Sequence, residues 1–325
     1  MSKFNIKLAD ADNSLDSLTT TYAGEFAGKY ISAALLSGKT LSEGSITIKP
    51  NVKYKDVIKK VDTTALVANA TCDFDLQADV LTLTERILEP EEYQVNLQLC
   101  KKDFRNDWEA VAMGISAYDN LPPAFSDFLI SHVAAKVAEK MEQNIWQGVD
   151  ANAGEFDGFT TLLGNDGTVN TATGTGSTFS STNIIANLGA VVDAIPSAVY
   201  GKEDLTIYLP TAALQAYVRA LGGFGASGLG AAGTNDQGTQ WYNMGNALAF
   251  EGIKIQHAPG MPAANIVAGE ASNLYFGTGL LADHNEVKLI DTGDILGDQN
   301  VRVIMRFTAG VQYGVGSDLV LQTLS

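Results

Sequence analysis

Gly38-Lys39-Thr40 is the first place where residue types and spacing invite chemistry. Ala33-Ala-Leu-Leu-Ser-Gly38-Lys39-Thr40 fits a loose phosphate-loop pattern, with alanine in place of the first glycine. That chemistry needs a buried strand before the loop and a helix after it, so that amides and helix dipole converge on the phosphates. Here a helix-like stretch precedes and the strand-like Ser45-Ile-Thr-Ile follows, so the match reads as chance. A nucleotide-binding enzyme using Gly38-Lys39-Thr40 is kept only as a remote alternative. Gly228-Leu-Gly230-Ala-Ala-Gly233 spells the dinucleotide fingerprint, with Glu251 about 20 residues on. It lacks the strand before it and the helix after it, and reads as a flexible loop.

The remaining candidates are equally bare. His132, His257 and His284 are the only histidines, at no metal-ligand spacing and with no cysteine near them. His132 falls on the apolar side of a helical pattern, where a hydrogen-bonded core or interface histidine is the usual case. Asp10-Ala-Asp12-Asn-Ser14-Leu-Asp16 opens like a calcium loop but carries Leu15 at position six and Thr21 at position twelve. No Gly-x-Ser-x-Gly elbow is present. The expectation is therefore no enzyme, no catalytic or metal residues and no cofactor.

Composition narrows the class further. The 325 residues, 46% hydrophobic and 18% charged, can bury a core of one or two domains. A net charge of −16 disfavours direct binding to nucleic acid or anionic membranes. No apolar run approaches the ~18 residues of a membrane span, and the N-terminus has no secretory signal. Cys72 and Cys100 are too few for a disulfide scaffold and read as reduced, semi-buried thiols of a cytosolic product.

The elements that would position any site are clearer than the sites. Phe125, Phe128, Leu129, His132, Val133, Lys136, Val137, Lys140, Met141, Asn144 and Ile145 follow the i, i+3, i+4, i+7 spacing of one helical face. Leu121-Pro122-Pro123 opens this helix and Gly148 closes it as a left-handed cap, giving a rod of about 37 Å over 124–148. Residues 46–104 read as strands, with Tyr93, Val95, Leu97 and Leu99 alternating against Gln94, Asn96, Gln98 and Cys100. Charge is segregated along them. Lys49, Lys53, Lys55, Lys59 and Lys60 lie on the first limb, and Asp73, Asp75, Asp79, Glu85, Glu89, Glu91 and Glu92 further on. One reading is a solvated hairpin; the other is a flap whose basic and acidic parts meet a neighbouring copy.

Residues 150–182 are rich in Gly, Thr, Ser and Asn and read as a loop or β-excursion. An α/β block follows. Asn183 caps a helix that stops at Pro196, Leu205–Leu209 is a buried strand, and a second helix starts at Thr211. Further strands are expected at Leu248–Gln256, Asn265–Gly269 and Val287–Asp291. Val301, Val303, Met305, Phe307, Ala309, Val311, Tyr313 and Val315 then alternate with largely polar residues, a long strand bent at Gly310. It must close onto something earlier, most simply the long helix.

In this order the chain resembles the major capsid proteins of tailed bacteriophages, the Hong Kong 97-type fold. The phrases that carry the resemblance are Gly158-Phe159-Thr-Thr-Leu162, Asn183–Pro196 with Leu205–Thr211, His257-Ala-Pro-Gly-Met261-Pro262 with Ile266-Val-Ala-Gly-Glu270, and the 301–315 alternation. The resemblance implies an α+β chain. An N-terminal arm (1–45) and a long β-hairpin flap, the E-loop (46–104), lead into a P domain (105–182) whose spine is the 124–148 helix. A mixed-sheet A domain (183–299) and a return strand (300–325) complete it. It also implies self-assembly into hexamers and pentamers of an icosahedral virion that encloses DNA without sequence-specific contacts. Portal and, in some relatives, scaffolding or decoration proteins would be partners, no membrane would be involved, and synthesis would be in the bacterial host cytoplasm. No N-terminal cleavage is expected. An encapsulin-like compartment is the alternative on the same fold. The charged flap residues above, with His132, Lys136 and Lys140 at the polar edge of the helix stripe, are the inter-subunit contact candidates.

Overall fold

The computed structural model describes residues 19–20, 39–63, 72, 81–100, 123–222, 248–279, 288–292 and 300–324. In chain order the elements are β1 (Thr19–Thr20), α1 (Lys39–Ser42), β2 (Thr47–Lys49), β3 (Asp56–Thr63), β4 (Leu81–Leu88), β5 (Glu91–Cys100), α2 (Pro123–Gln147) and α3 (Phe159–Asn165). They continue with β6 (Asn170–Thr173), α4 (Ile184–Asp193), β7 (Leu205–Leu209), α5 (Thr211–Gly222), β8 (Ala249–Phe250), β9 (Ile253–His257), β10 (Asn265–Glu270), β11 (Leu274–Gly277), β12 (Lys288–Asp291), β13 (Asn300–Tyr313) and β14 (Val320–Thr323). Among the described residues, few helices and three sheets make a mixed α/β fold.

Two compact units are present. Of the described residues, the first holds β1, 94–100, 123–134, β12 and 300–306, and the second holds the rest. In the first, β12 pairs antiparallel with the start of β13 and with β1. In the second, β11 pairs antiparallel with the end of β13 and parallel with β2. β13 itself behaves as its alternation predicts: every odd position from Val301 to Tyr313 is buried, and among the even ones only Gly310 is. Gly310 allows a close approach: a Cβ there would lie 3.0 Å from the Glu89 carbonyl oxygen, tighter than ordinary van der Waals contact. The strand's partners are β5, β11 and β12.

The second unit also carries a six-stranded sheet in the order β6-β14-β10-β7-β9-β8. Helices α4 and α5 cover one of its faces. Ile184, Leu188 and Val191 of α4 and Ala213, Ala216 and Tyr217 of α5 share one core with Leu205, Ile207 and Leu209 of β7. The expected strand over 248–256 is two strands instead, because Glu251 and Gly252 both take positive φ, 49° and 82°, and turn the chain back on itself. Asn183 stands at the start of α4 without capping it. Its Oδ1 accepts the Ser180 amide at 2.8 Å and its Nδ2 donates to the Thr178 carbonyl at 2.9 Å, so the side chain ties down the preceding loop.

The long helix is present as read, one residue earlier at each end. Its C-terminus differs from expectation. Gly148 is not left-handed; a Cβ there would sit 2.2 Å from the Phe156 carbonyl oxygen, so glycine is required for backbone approach. The returning chain then forms α3, unforeseen in the polar stretch after Gly148. Thr160 and Thr161 donate through their hydroxyls to the carbonyls of Trp146 and Gly148 at 2.6 and 2.8 Å, satisfying acceptors that a helix end leaves open.

Candidate interaction surface

Lys39 and Thr40, singled out by the phosphate-loop pattern, lie in the four-residue α1, which leads into β2. Thr40 is pinned by the long helix. Its amide donates to Glu142 Oε2 at 3.1 Å, its hydroxyl donates to Glu142 Oε1, and the Trp146 indole N–H donates to that hydroxyl at 2.8 Å. Glu142 and Trp146 are one helical turn apart, so both prongs come from the same face. Ser45 Oγ donates to the Thr40 carbonyl at 2.7 Å, and the Tyr208 hydroxyl donates to the Ser45 carbonyl. Trp146 is fully buried against Phe159 and Tyr208, with ring centroids 5.5 and 5.1 Å away.

The amide that a phosphate would need at Thr40 is thus given to a carboxylate of the same chain. Burial pushes the Glu142 carboxyl above its usual range, against the opposing pull of hydrogen bonds from Thr40 and Gly260. Beside it, Lys39 Nζ lies 3.1 Å from His257 Nδ1 and Thr211 Oγ1 lies 2.9 Å from His257 Nε2. Burial and the Lys39 charge lower the His257 pKa and keep the ring neutral. An ammonium donating to Nδ1 leaves Nε2 protonated and donating to Thr211. A hydroxyl that receives a proton in this way is not activated as a nucleophile. The cluster fastens three segments together; its geometry is that of a structural joint.

The flap is built differently. β3 and β4 form a two-stranded antiparallel sheet of their own, from Asp56↔Leu88 to Thr63↔Leu81. Its root is anchored through one face. Ile58 and Leu88 are buried there, and Arg86 donates to Asp166 and, at 3.1 Å, to the Gly314 carbonyl while stacking 4.2 Å from the Tyr313 ring. The Tyr313 hydroxyl at 2.6 Å, the Thr168 amide and hydroxyl and Arg86 together hold the Asp166 carboxyl well below its ordinary range.

The other face carries four direct cross-strand pairs: Val57↔Ile87, Lys59↔Glu85, Val61↔Leu83 and Thr63↔Leu81. Val57 and Ile87 at the root are exposed by 40% and 45%, and Val61 and Leu83 further out by 56% and 68%. Sequence reading weighed only the charges of this limb. The period-two signal was present at Val57, Val61, Leu83 and Ile87, but which of them share a face depends on register.

The expected contact residues divide. Lys49 pairs with Asp56 at 2.7 Å and Lys55 with Glu89 at 2.8 Å, so these charges are engaged within their own chain. Lys53, Lys59, Glu85, Glu89, Glu91 and Glu92 are exposed and Lys60 is half-buried, while Asp73, Asp75 and Asp79 lie outside the described residues. His132, Lys136 and Lys140 are exposed rather than on the buried stripe, which runs through Val133, Val137, Met141, Asn144 and Ile145 and widens to Ala138, Glu142 and Trp146. Lys136 pairs with Glu139 at 2.8 Å and Lys140 with Glu155. Cys72 and Cys100 are both free, Cys72 exposed and Cys100 half-buried. His284, the Gly228–Gly233 fingerprint and the Asp10–Asp16 stretch lie outside the described residues. Among the described residues no cluster could hold a metal ion, and no helix is long and apolar enough to cross a membrane.

The fold is that of phage capsid shells. A chain from the capsid of the native GTA particle superposes with a TM-score of 0.56 at 13% identity, over 89% of this chain and 97% of that one. A chain from the capsid of Myoviridae phage XM1 gives 0.54 at 12% identity, over 89% and 92%. A chain from the satellite phage P4 procapsid gives 0.53 at 11%, over 91% and 98%. No family model and no curated protein matches the sequence.

Proposed function

We propose that this chain is a major capsid protein of a tailed phage, assembling with copies of itself into hexamers and pentamers of a closed icosahedral head around double-stranded DNA. The observation that carries the reading is the likeness to capsid chains over about nine-tenths of both lengths. Capsid geometry asks for a stiff spine, supplied by α2, and a projecting flap, supplied by β3 and β4. On this reading 1–45 is the arm, 46–104 the E-loop, 105–182 the P domain, 183–299 the A domain and 300–325 the strand that returns to the P domain. The flap lies over an adjacent copy, and the spine meets another copy along the edge marked by His132, Lys136 and Lys140. Lys53, Lys59 and Glu85, exposed on the flap, would take part in such contacts, and Lys60, Asp73, Asp75 and Asp79 are further candidates from the sequence. Portal and scaffolding proteins are the other partners, and the mature location is the virion. A network that ties Thr40 to Glu142 supports a structural role over nucleotide chemistry. Negative-stain electron microscopy of the purified protein tests the proposal: closed shells or capsomers are expected, and a homogeneous monomer at high concentration contradicts it.

A further inference from the structure

His257 is a titratable group with both ring nitrogens engaged, and the proposed function makes no use of it. It ends β9, half-buried, between two other segments. From α1, Lys39 Nζ lies 3.1 Å from Nδ1; from the start of α5, Thr211 Oγ1 lies 2.9 Å from Nε2. The two contacts differ in what a proton does to them. An ammonium has donors and no acceptor, so the Lys39 contact needs the lone pair of a neutral ring. The Thr211 hydroxyl can accept from Nε2–H in either state of the ring. A proton taken from solvent onto Nδ1 occupies that lone pair, ends the Lys39 hydrogen bond and sets two cations against each other.

The neighbouring charges do not cancel this. Glu43, one turn further along α1, lies 3.6 Å from Lys39 and favours a charged ring, but burial and Lys39 outweigh it and lower the His257 pKa. From α2, Glu139 and Glu142 line the same groove as Lys39, where Glu139 is taken by Lys136 at 2.8 Å and Glu142 by Thr40. We infer that the Lys39–His257 pair is an acid-opened catch: one proton on the ring breaks the link between α1 and the β9–α5 corner and leaves the Thr40–Glu142 link in place. It is a property of the single chain and holds whether or not shells form. A ring whose folded pKa lies below its unfolded value of about 6.5 contributes fully above that value and loses the contribution as pH falls below it. Glu142, raised by burial, responds with the opposite sign and does not mimic the catch.

Ring NMR and hydrogen exchange on the dissociated full-length chain test this. In wild type one of the three histidine rings is expected to titrate below about 6.5, and in Lys39→Met that signal alone should move up toward this value. The Glu43 amide, which donates to the Lys39 carbonyl at 3.1 Å, reports on α1. Its protection, corrected for the intrinsic exchange rate, should fall at least about threefold between about pH 7.5 and about pH 5.5. His257→Gln should abolish that pH dependence, whereas loss of a merely structural histidine would lower protection equally at both pH values. A ring that titrates at or above about 6.5 beside Lys39, or a Glu43 amide equally protected at both pH values in wild type, overturns the inference. So does a pH dependence that survives His257→Gln. Should that variant not fold, the wild-type and Lys39→Met titrations decide by themselves.

Discussion

Glu142 and Leu83 belong to regions in opposite states of completion. Around Glu142, both carboxylate oxygens, the Thr40 amide and hydroxyl, the Trp146 indole and the Ser45 hydroxyl have partners within the chain. Around Leu83, 68% exposed, the aliphatic surface of the flap is left uncovered by the described residues. The first region needs nothing more to be stable. The second is arranged as half of something. On the proposed shell reading, a chain that finishes its joint and leaves its flap bare draws its remaining stabilisation from assembly.

Substitutions should separate the two regions cleanly, the largest losses falling in the joint. Trp146→Ala removes a buried ring and strips Thr40 of a donor, and should cost the unassembled protein about 3–5 kcal/mol by chemical denaturation. Gly260→Ala should follow at about 1–3 kcal/mol or more, because its Cβ would sit 2.0 Å from the Glu142 carbonyl oxygen in helix backbone that cannot move aside. A loss below ~0.5 kcal/mol at either position would break the claim that this joint is close-packed.

Acidity sharpens the contrast between the joint and the flap root, because their carboxylates respond with opposite sign. Asp166 is held below its ordinary value, first by Tyr313 and further by Thr168 and Arg86. Its contribution is fully present above the unfolded value of about 3.9 and is lost as pH falls toward the folded one. Asp166→Asn should therefore cost about 1–3 kcal/mol at pH 7 and progressively less below about pH 4, read by urea denaturation across pH. Glu142 is raised by burial, so its contribution is present below about 4.3 and declines as pH rises through the folded value. Glu142→Gln should flatten that decline. An unchanged pH profile in both variants would count against the two assignments.

The smallest effects on the folded chain belong to the flap. Lys53→Glu/Lys59→Glu should change the stability of unassembled protein by less than about 0.5 kcal/mol. It should slow assembly at low salt and much less at high salt, where exposed charges are screened. Equal assembly rates at both salt concentrations would remove these lysines from the contact.

What could be read in advance follows from the range of each signal. The 300–313 strand, β7, α5 and the long helix were legible because their periodicity is local and uninterrupted. The phase of the long helix was only partly legible. Lys136 and Lys140 fit the same spacing as Val133 and Val137, and the true stripe is centred toward Glu142 and Trp146, where a buried glutamate looks polar. That glutamate's partner, Thr40, is 102 residues away, a tertiary contact with no local trace. Gly148 and Gly310 signalled special backbone, but close approach and positive φ ask for the same residue. The aliphatic face of the flap was hidden for a similar reason, since pairing Val61 with Leu83 requires the register across the hairpin.

Hydrogen exchange measured on assembled and dissociated protein tests the central contrast most directly. Amides of 133–146 should be equally protected in both states. Those of 57–61 and 83–87 should exchange readily in the dissociated chain and become at least about tenfold slower on assembly. Flap amides that exchange at the same rate in both states would contradict the account.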